Sequence, residues 1–121
     1  MRANRVLLRW TMPLLAGIWI LLTSGAAAEP HVIDLAVRDG VLPKDQRLIR
    51  VQQGEDVALR WTTDRPVTVH VHGYDVEVRV EVGRPTTMTI RARAAGRFPI
   101  TTHPGVRGKE DVLGYLEVHP K

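Results

Sequence analysis

Hydrophobic and polar positions alternate along most of the chain after residue 30. Between Val57 and Thr62, for example, Val57, Leu59 and Trp61 alternate with Ala58, Arg60 and Thr62. A period of two is typical of a half-buried β-strand, because successive side chains point to opposite faces. No stretch has the 3.6-residue period of an amphipathic helix, and no internal repeat or low-complexity tract is present. This part of the chain is therefore predicted to be all β.

About eight short strands fit between turn signals rich in Gly, Pro and Asp. The segments with this alternation are Ile33 to Val37, Leu48 to Val51, Val57 to Thr62, Val67 to His72, Val76 to Val82, Met88 to Ala92, Arg97 to Thr102 and Gly114 to His119. Short strands at this spacing predict a two-sheet antiparallel β-sandwich. Trp61, Phe98 and Tyr115 are the large side chains that we expect in its core.

The first 28 residues have a different pattern. Arg2, Arg5 and Arg9 precede a nearly uninterrupted apolar run from Trp10 to Leu22, and small residues follow at Ala26 to Ala28. This order predicts a signal-peptide helix over residues 1–28, cleaved after position 28, and one exported, periplasmic domain over residues 29–121. The alternative is an uncleaved anchor, since about 20 apolar residues span a bilayer.

The charge balance changes once the leader is set aside. The whole chain has 17 Lys and Arg against 13 Asp and Glu. Three of the arginines lie in the leader, which leaves 14 basic residues against 13 acidic ones. A net charge of about +1 argues against nucleic acid as a partner.

The absence of cysteine and the scarcity of serine restrict the chemistry. The chain has no cysteine, and its only serine is Ser24, within the predicted leader. Disulfides, a thiolate metal ligand and a Ser or Cys nucleophile are therefore excluded from the domain. No phosphate-binding glycine loop or evident carboxylate pair is present, so we do not expect an enzyme.

Two histidines stand at alternate positions in the strand that starts at Val67. His70 and His72 should leave the same face of this strand, while Val67, Val69 and Val71 point to the core. If His103 approaches them, three imidazoles would suit Cu(II), Zn(II) or Ni(II). Asp75 could then act as a further acceptor around the site.

A structural role for these histidines is the alternative. Side chains two apart on a strand are rooted about 7 Å apart, so their tips must converge to hold one ion. Without that convergence, His70 and His72 are surface residues and the domain is metal-free. Cleavage after position 28 would place His31 third in the mature chain, where a histidine can chelate copper through the terminal amine and deprotonated backbone amides. Pro30 has no amide proton to lose, so His31 is at most an auxiliary ligand. His119 belongs to the end of the last strand.

The order of several short motifs resembles a known family. They are Val51 to Val57, the histidine-bearing strand, Gly83 to Pro85, Ala95 to Phe98, His103 and Gly114 to Val118. Together they are similar to a cupredoxin-like domain, in particular the EfeO-type, cysteine-free subgroup of exported bacterial proteins. The resemblance implies a Greek-key β-sandwich over roughly residues 31–120.

The resemblance also implies where a metal site would lie. Cupredoxins generally hold copper with one histidine from a mid-chain strand and with Cys, His and usually Met from the loop before the last strand. His70 or His72 corresponds to the first ligand, and Thr102 or His103 falls near the cysteine position. The loop Pro104 to Leu113 has no histidine or methionine. A type 1 blue copper centre needs a thiolate, so this chain cannot form one.

These observations lead to two competing functional hypotheses. In the first, the domain is an accessory module that binds copper or another divalent transition metal through His70, His72 and His103. In the second, it is a metal-free interaction domain that meets an exported or membrane-associated partner through the sandwich surface or the loop His103 to Leu113. Contact with the membrane itself is expected only if the leader is retained.

Overall fold

A computed structural model describes residues 24–103 and 110–121. Most of the predicted leader and the central part of the predicted loop before the last strand lie outside these residues. Within the described ranges, no helix is long and apolar enough to cross a membrane.

The described chain is built from eight β-strands and one short 3₁₀ helix, Lys44–Gln46. The strands are β1 (His31–Val37), β2 (Leu48–Gln52), β3 (Asp56–Thr63), β4 (Val67–Val71), β5 (Val76–Val80), β6 (Thr86–Arg91), β7 (Gly96–His103) and β8 (Asp111–His119). The prediction of an all-β fold is confirmed, and each predicted strand is present. The largest difference in bounds is at β8, which begins three residues earlier than expected.

The strands form two sheets that are mixed rather than wholly antiparallel. One sheet has the order β1-β3-β6 and the other has the order β2-β8-β7-β4-β5. β1 pairs with β3 and β2 pairs with β8 in parallel, whereas the other neighbours are antiparallel. The antiparallel prediction is thus wrong for two pairs. Strands that are distant in sequence have no tight hairpin to impose antiparallel pairing, and alternation carries no information on strand direction.

The core lies between the sheets and contains the inward members of each alternating pair. Trp61 is fully buried, as expected, and Phe98 is half-buried against the core. The prediction for Tyr115 is wrong, because its neighbour Leu116 takes the inward position. The Tyr115 ring lies outside the sandwich, with the Arg97 guanidinium 4.3 Å from its centre.

The turn after β4 is packed tightly against the side of the sandwich. Gly73 has a φ of +80°, and the Phe98 ring occupies the space that a Cβ at this position would need. Tyr74 is buried, donates a hydrogen bond of 2.9 Å from Oη to the Ala94 carbonyl and contacts Phe98 edge to face. These contacts fix the point at which the chain leaves β4.

Candidate metal centre

The candidate site lies on the outer face of the five-stranded sheet. In β4, Val67, Val69 and Val71 are buried, whereas Thr68 and His70 alternate with them and are only half-buried. The strand therefore directs its valines into the core and His70 outward, as the period of two predicts. The site is open to solvent on this face.

Strand pairing brings His103 to the same face. β7 runs antiparallel to β4, with Thr101 opposite His70 and His103 opposite Thr68. His70 and His103 are thus diagonal neighbours on adjacent strands, and diagonal side chains of this length can reach one another. This pairing is long-range, so from the sequence the approach of His103 to His70 was only a hypothesis.

The rings of His72 and His103 both lie close to the ring of His70. The ring centres of His70 and His72 lie 4.3 Å apart, with their planes tilted by 48°. Those of His70 and His103 lie 6.3 Å apart, with their planes 26° from parallel. The separation of the His70 and His72 rings is smaller than the 7 Å or so between side-chain roots two apart on a strand. The approach of His103 to His70 that the metal hypothesis requires is present, while metal binding itself stays a prediction.

Glu110 completes the cluster, and sequence analysis missed it. Its Oε1 lies 3.4 Å from His103 Nε2, and its Oε2 lies 3.4 Å from His72 Nε2. Glu110 immediately precedes β8, whose first residue, Asp111, pairs with Thr102 of β7. Continuing this register places Glu110 beside His103. The sequence would have indicated Glu110 only if β7 and β8 had been predicted to pair antiparallel, because His103 and Glu110 then lie opposite each other at the two ends of the connection.

One set of ligand atoms is close enough to surround an ion. His70, His103 and Glu110 each offer one atom, and the three atoms lie within 4.8 Å of one another. Tetrahedral coordination with bonds of about 2.1 Å places ligand atoms about 3.4 Å apart. Half-exposed side chains can close the remaining distance by small rotations. His72 is not a member of this set.

The immediate surroundings of the rings favour a cation. Besides Glu110, the carboxylate of Glu77 on β5 lies 4.0 Å from His103 Nε2. Two carboxylates therefore face three imidazoles, and their negative charge favours a bound cation. The hydroxyl of Thr101 lies 3.0 Å from His72 Nε2.

The remaining candidates lie elsewhere. Asp75 is exposed in the turn after β4, with a φ of +52°. Within residues 24–103 and 110–121, the side-chain hydrogen bonds and ion pairs of the three clustered histidines come from Thr101, Glu77 and Glu110, and none comes from Asp75.

The other two histidines have acidic partners of their own. His31 lies 3.9 Å from Glu55, and His119 lies 2.9 Å from Glu117. They are not members of the ligand set formed by His70, His103 and Glu110.

Comparison with known proteins identifies the fold. No protein-family model matches the sequence, and no curated protein sequence matches it. Among solved structures, a chain of a heme-copper terminal oxidase dimer is 20% identical over 74% of this chain and 65% of its own length, with a TM-score of 0.59. The blue copper oxidase from Nitrosomonas europaea is 27% identical over 77% of this chain, with a TM-score of 0.56, and this chain spans 40% of it.

A third solved structure is closer in length. A copper binding protein whose apo form was solved by NMR is 13% identical over 77% of this chain and 93% of its own length, with a TM-score of 0.56. At these identities the likeness concerns the fold rather than the function. Together with the two packed sheets of eight strands, it shows that residues 31–103 and 110–119 form a cupredoxin-like β-sandwich.

Proposed function

We propose that this chain is an exported, periplasmic accessory module that binds copper or another divalent transition metal on the outer face of its five-stranded sheet. The observation that carries the proposal is the convergence of His70, His103 and Glu110, whose ligand atoms lie within 4.8 Å of one another. The ring of His72 adjoins this set. Surface histidines that bind no metal would not need to lie this close to each other and to a carboxylate.

The donor atoms indicate the class of metal. Two imidazoles and one carboxylate offer nitrogen and oxygen, and the chain has no cysteine. Such a set suits Cu(II), Ni(II) or Zn(II), whereas soft Cu(I) prefers sulfur. At equal geometry the divalent ions follow an affinity order in which Cu(II) is strongest. We therefore propose Cu(II) as the preferred ion, bound without the thiolate that a type 1 blue copper centre needs.

The position of these ligands along the chain supports the same proposal. The resemblance to cupredoxins indicated a mid-chain strand and the segment before the last strand. His70 lies on β4, and Glu110 directly precedes β8. A heme-copper terminal oxidase, a blue copper oxidase and a copper binding protein share the fold. Membership of the EfeO-type subgroup, the leader at residues 1–28 and a non-enzymatic role stay predictions.

A metal titration tests the proposal. Cu(II) added to the metal-free protein should bind one ion per chain in calorimetry. Binding to the folded state alone raises stability by about 2.7 kcal/mol when free metal exceeds Kd a hundredfold. His70→Ala should remove both effects. His119→Ala is the matched control, since His119 pairs with Glu117 outside the cluster, and it should behave as wild type.

A second candidate function is contact with an exported protein partner, and one observation favours it. Val41 and Val112 are 52% and 56% exposed, respectively. Both line one cavity of about 480 Å³, which also includes Arg65, Pro66 and Asp111. If this surface binds a partner, Val41→Asp together with Val112→Asp should abolish capture from a periplasmic extract, and His70→Ala should not. Equal capture by both variants would contradict a role for this surface.

A further inference from the structure

We propose that His72 is a positioning residue and not a metal ligand: held by Thr101, it orients the Glu110 carboxylate toward the ion. This inference rests on the metal site proposed above and divides its residues into ligands and supports. It also changes the role of His72, which the same-face pattern of β4 had grouped with His70.

The contacts of His72 Nε2 lead to this assignment. Nε2 lies 3.0 Å from Thr101 Oγ1 and 3.4 Å from Glu110 Oε2. An ionised carboxylate can only accept hydrogen bonds, and a hydroxyl can accept one as well. A proton on Nε2 can therefore be donated to Thr101 Oγ1 while it faces the carboxylate favourably, whereas a bare Nε2 would turn its lone pair toward the negative carboxylate. A protonated Nε2 cannot coordinate a metal.

Distances to the other donors agree. The set of ligand atoms within 4.8 Å of one another contains His70, His103 and Glu110, and no nitrogen of His72 joins it. The two oxygens of Glu110 have different neighbours. Oε1 faces His103, and Oε2 faces His72. The 3.4 Å contact of His72 Nε2 with Oε2 thus restrains the carboxylate and leaves Oε1 beside His103 at the ion position.

Strand β7 supports His72 at two points. Thr101 is only 3% exposed and lies on β7, which pairs with both β4 and β8. The backbone N–H of His72 donates a hydrogen bond of 3.0 Å to the Pro99 carbonyl of the same strand. Contacts therefore run from the buried Thr101 through His72 to Glu110, one of the proposed metal ligands. Outer partners of this kind typically contribute about 10–100-fold to metal affinity.

The first test counts the coordinating rings. Pulsed electron paramagnetic resonance of the Cu(II)-loaded wild type should detect two coordinated imidazoles. His72→Gln should still show two, with one ion per chain and a Kd weaker by about 10–100-fold. Three imidazoles in the wild type that fall to two in His72→Gln would overturn the inference and leave the proposed metal site intact. A wild type that binds no Cu(II) would overturn the proposed function as well.

The second test isolates the hydroxyl of Thr101. Thr101→Val keeps the size of the side chain but removes the hydroxyl, and it should weaken Cu(II) binding. Thr101→Ser keeps the hydroxyl and should bind Cu(II) as the wild type does. Thr102→Val is the matched control, because Thr102 is equally buried and adjacent on the same strand. Equal weakening in Thr101→Val and Thr102→Val would contradict the assignment.

A third measurement needs no metal. Nitrogen-15 NMR of the metal-free protein should find the proton of neutral His72 on Nε2. Finding it on Nδ1 would overturn the inference whether or not the protein binds copper.

Discussion

Replacing Gly73 with alanine should destabilise the protein more than the same change at another turn glycine. Gly73 has a φ of +80°, and an added Cβ would lie 2.8 Å from Cε1 of Phe98 and closer still to Cδ1. A left-handed backbone costs a residue with a side chain about 1–2 kcal/mol. Contact between carbon atoms is favourable only from about 3.5 Å, so the Phe98 ring must move as well.

The cost of moving Phe98 follows from its contacts. Its ring lies edge to face against Tyr74, with ring centres 4.9 Å apart. Such pairs contribute about 0.5–1.5 kcal/mol beyond burial. The total expected for Gly73→Ala is therefore about 1.5–3.5 kcal/mol from the backbone and ring contributions together.

Gly83 supplies the matched control for this prediction. It has a φ of +73°, and no atom lies within 4 Å of an added Cβ. Gly83→Ala should therefore cost only the backbone contribution, about 1–2 kcal/mol. Urea unfolding followed by tryptophan fluorescence measures both variants. Equal losses of stability at the two positions would refute the packing argument, and rescue of Gly73→Ala by Phe98→Leu would support it.

Three further predictions concern the core, the surface charges and the site. Val69→Ala, at a fully buried position of β4, should cost about 1.5–3 kcal/mol in the same unfolding assay, since two methyl-sized groups of about 0.8 kcal/mol each are lost and a cavity remains. The hydrogen bond from Arg60 lowers the pKa of Asp34, so this pair contributes stability above the ordinary carboxyl pKa and loses it as pH falls through the lowered value. The difference in unfolding free energy between wild type and Asp34→Asn should therefore shrink on acidification, and a difference that stays constant with pH would contradict this. Glu110→Gln should weaken Cu(II) binding in calorimetry by removing the anionic ligand, and unchanged affinity would exclude Glu110 from the site.

Local pattern predicted the strands because burial alternates residue by residue. β4 is a clear case: the buried positions Val67, Val69 and Val71 follow the period of two. The phase of that pattern also placed His70 on the outer face. Tyr115 was misplaced because its size suggested a core position, whereas the burial of Leu116 and Val118 directs it outward.

Long-range pairing could not be predicted in the same way. The parallel pairs β1–β3 and β2–β8 depend on which strands cross between the sheets. The approach of His103 to His70 depends on the register of β7 against β4. Glu110 enters the site only through the pairing of β7 with β8. The sequence therefore identified three residues of the cluster, and the structure supplied the fourth.

The most direct test of the central claim is calorimetric titration of the metal-free protein with Cu(II), in wild type and His70→Ala side by side. The metal-site account predicts one ion per wild-type chain, a rise in stability of about 2.7 kcal/mol at a hundredfold excess over Kd, and neither effect in the variant. No binding by the wild type, or equal binding by His70→Ala, would contradict it.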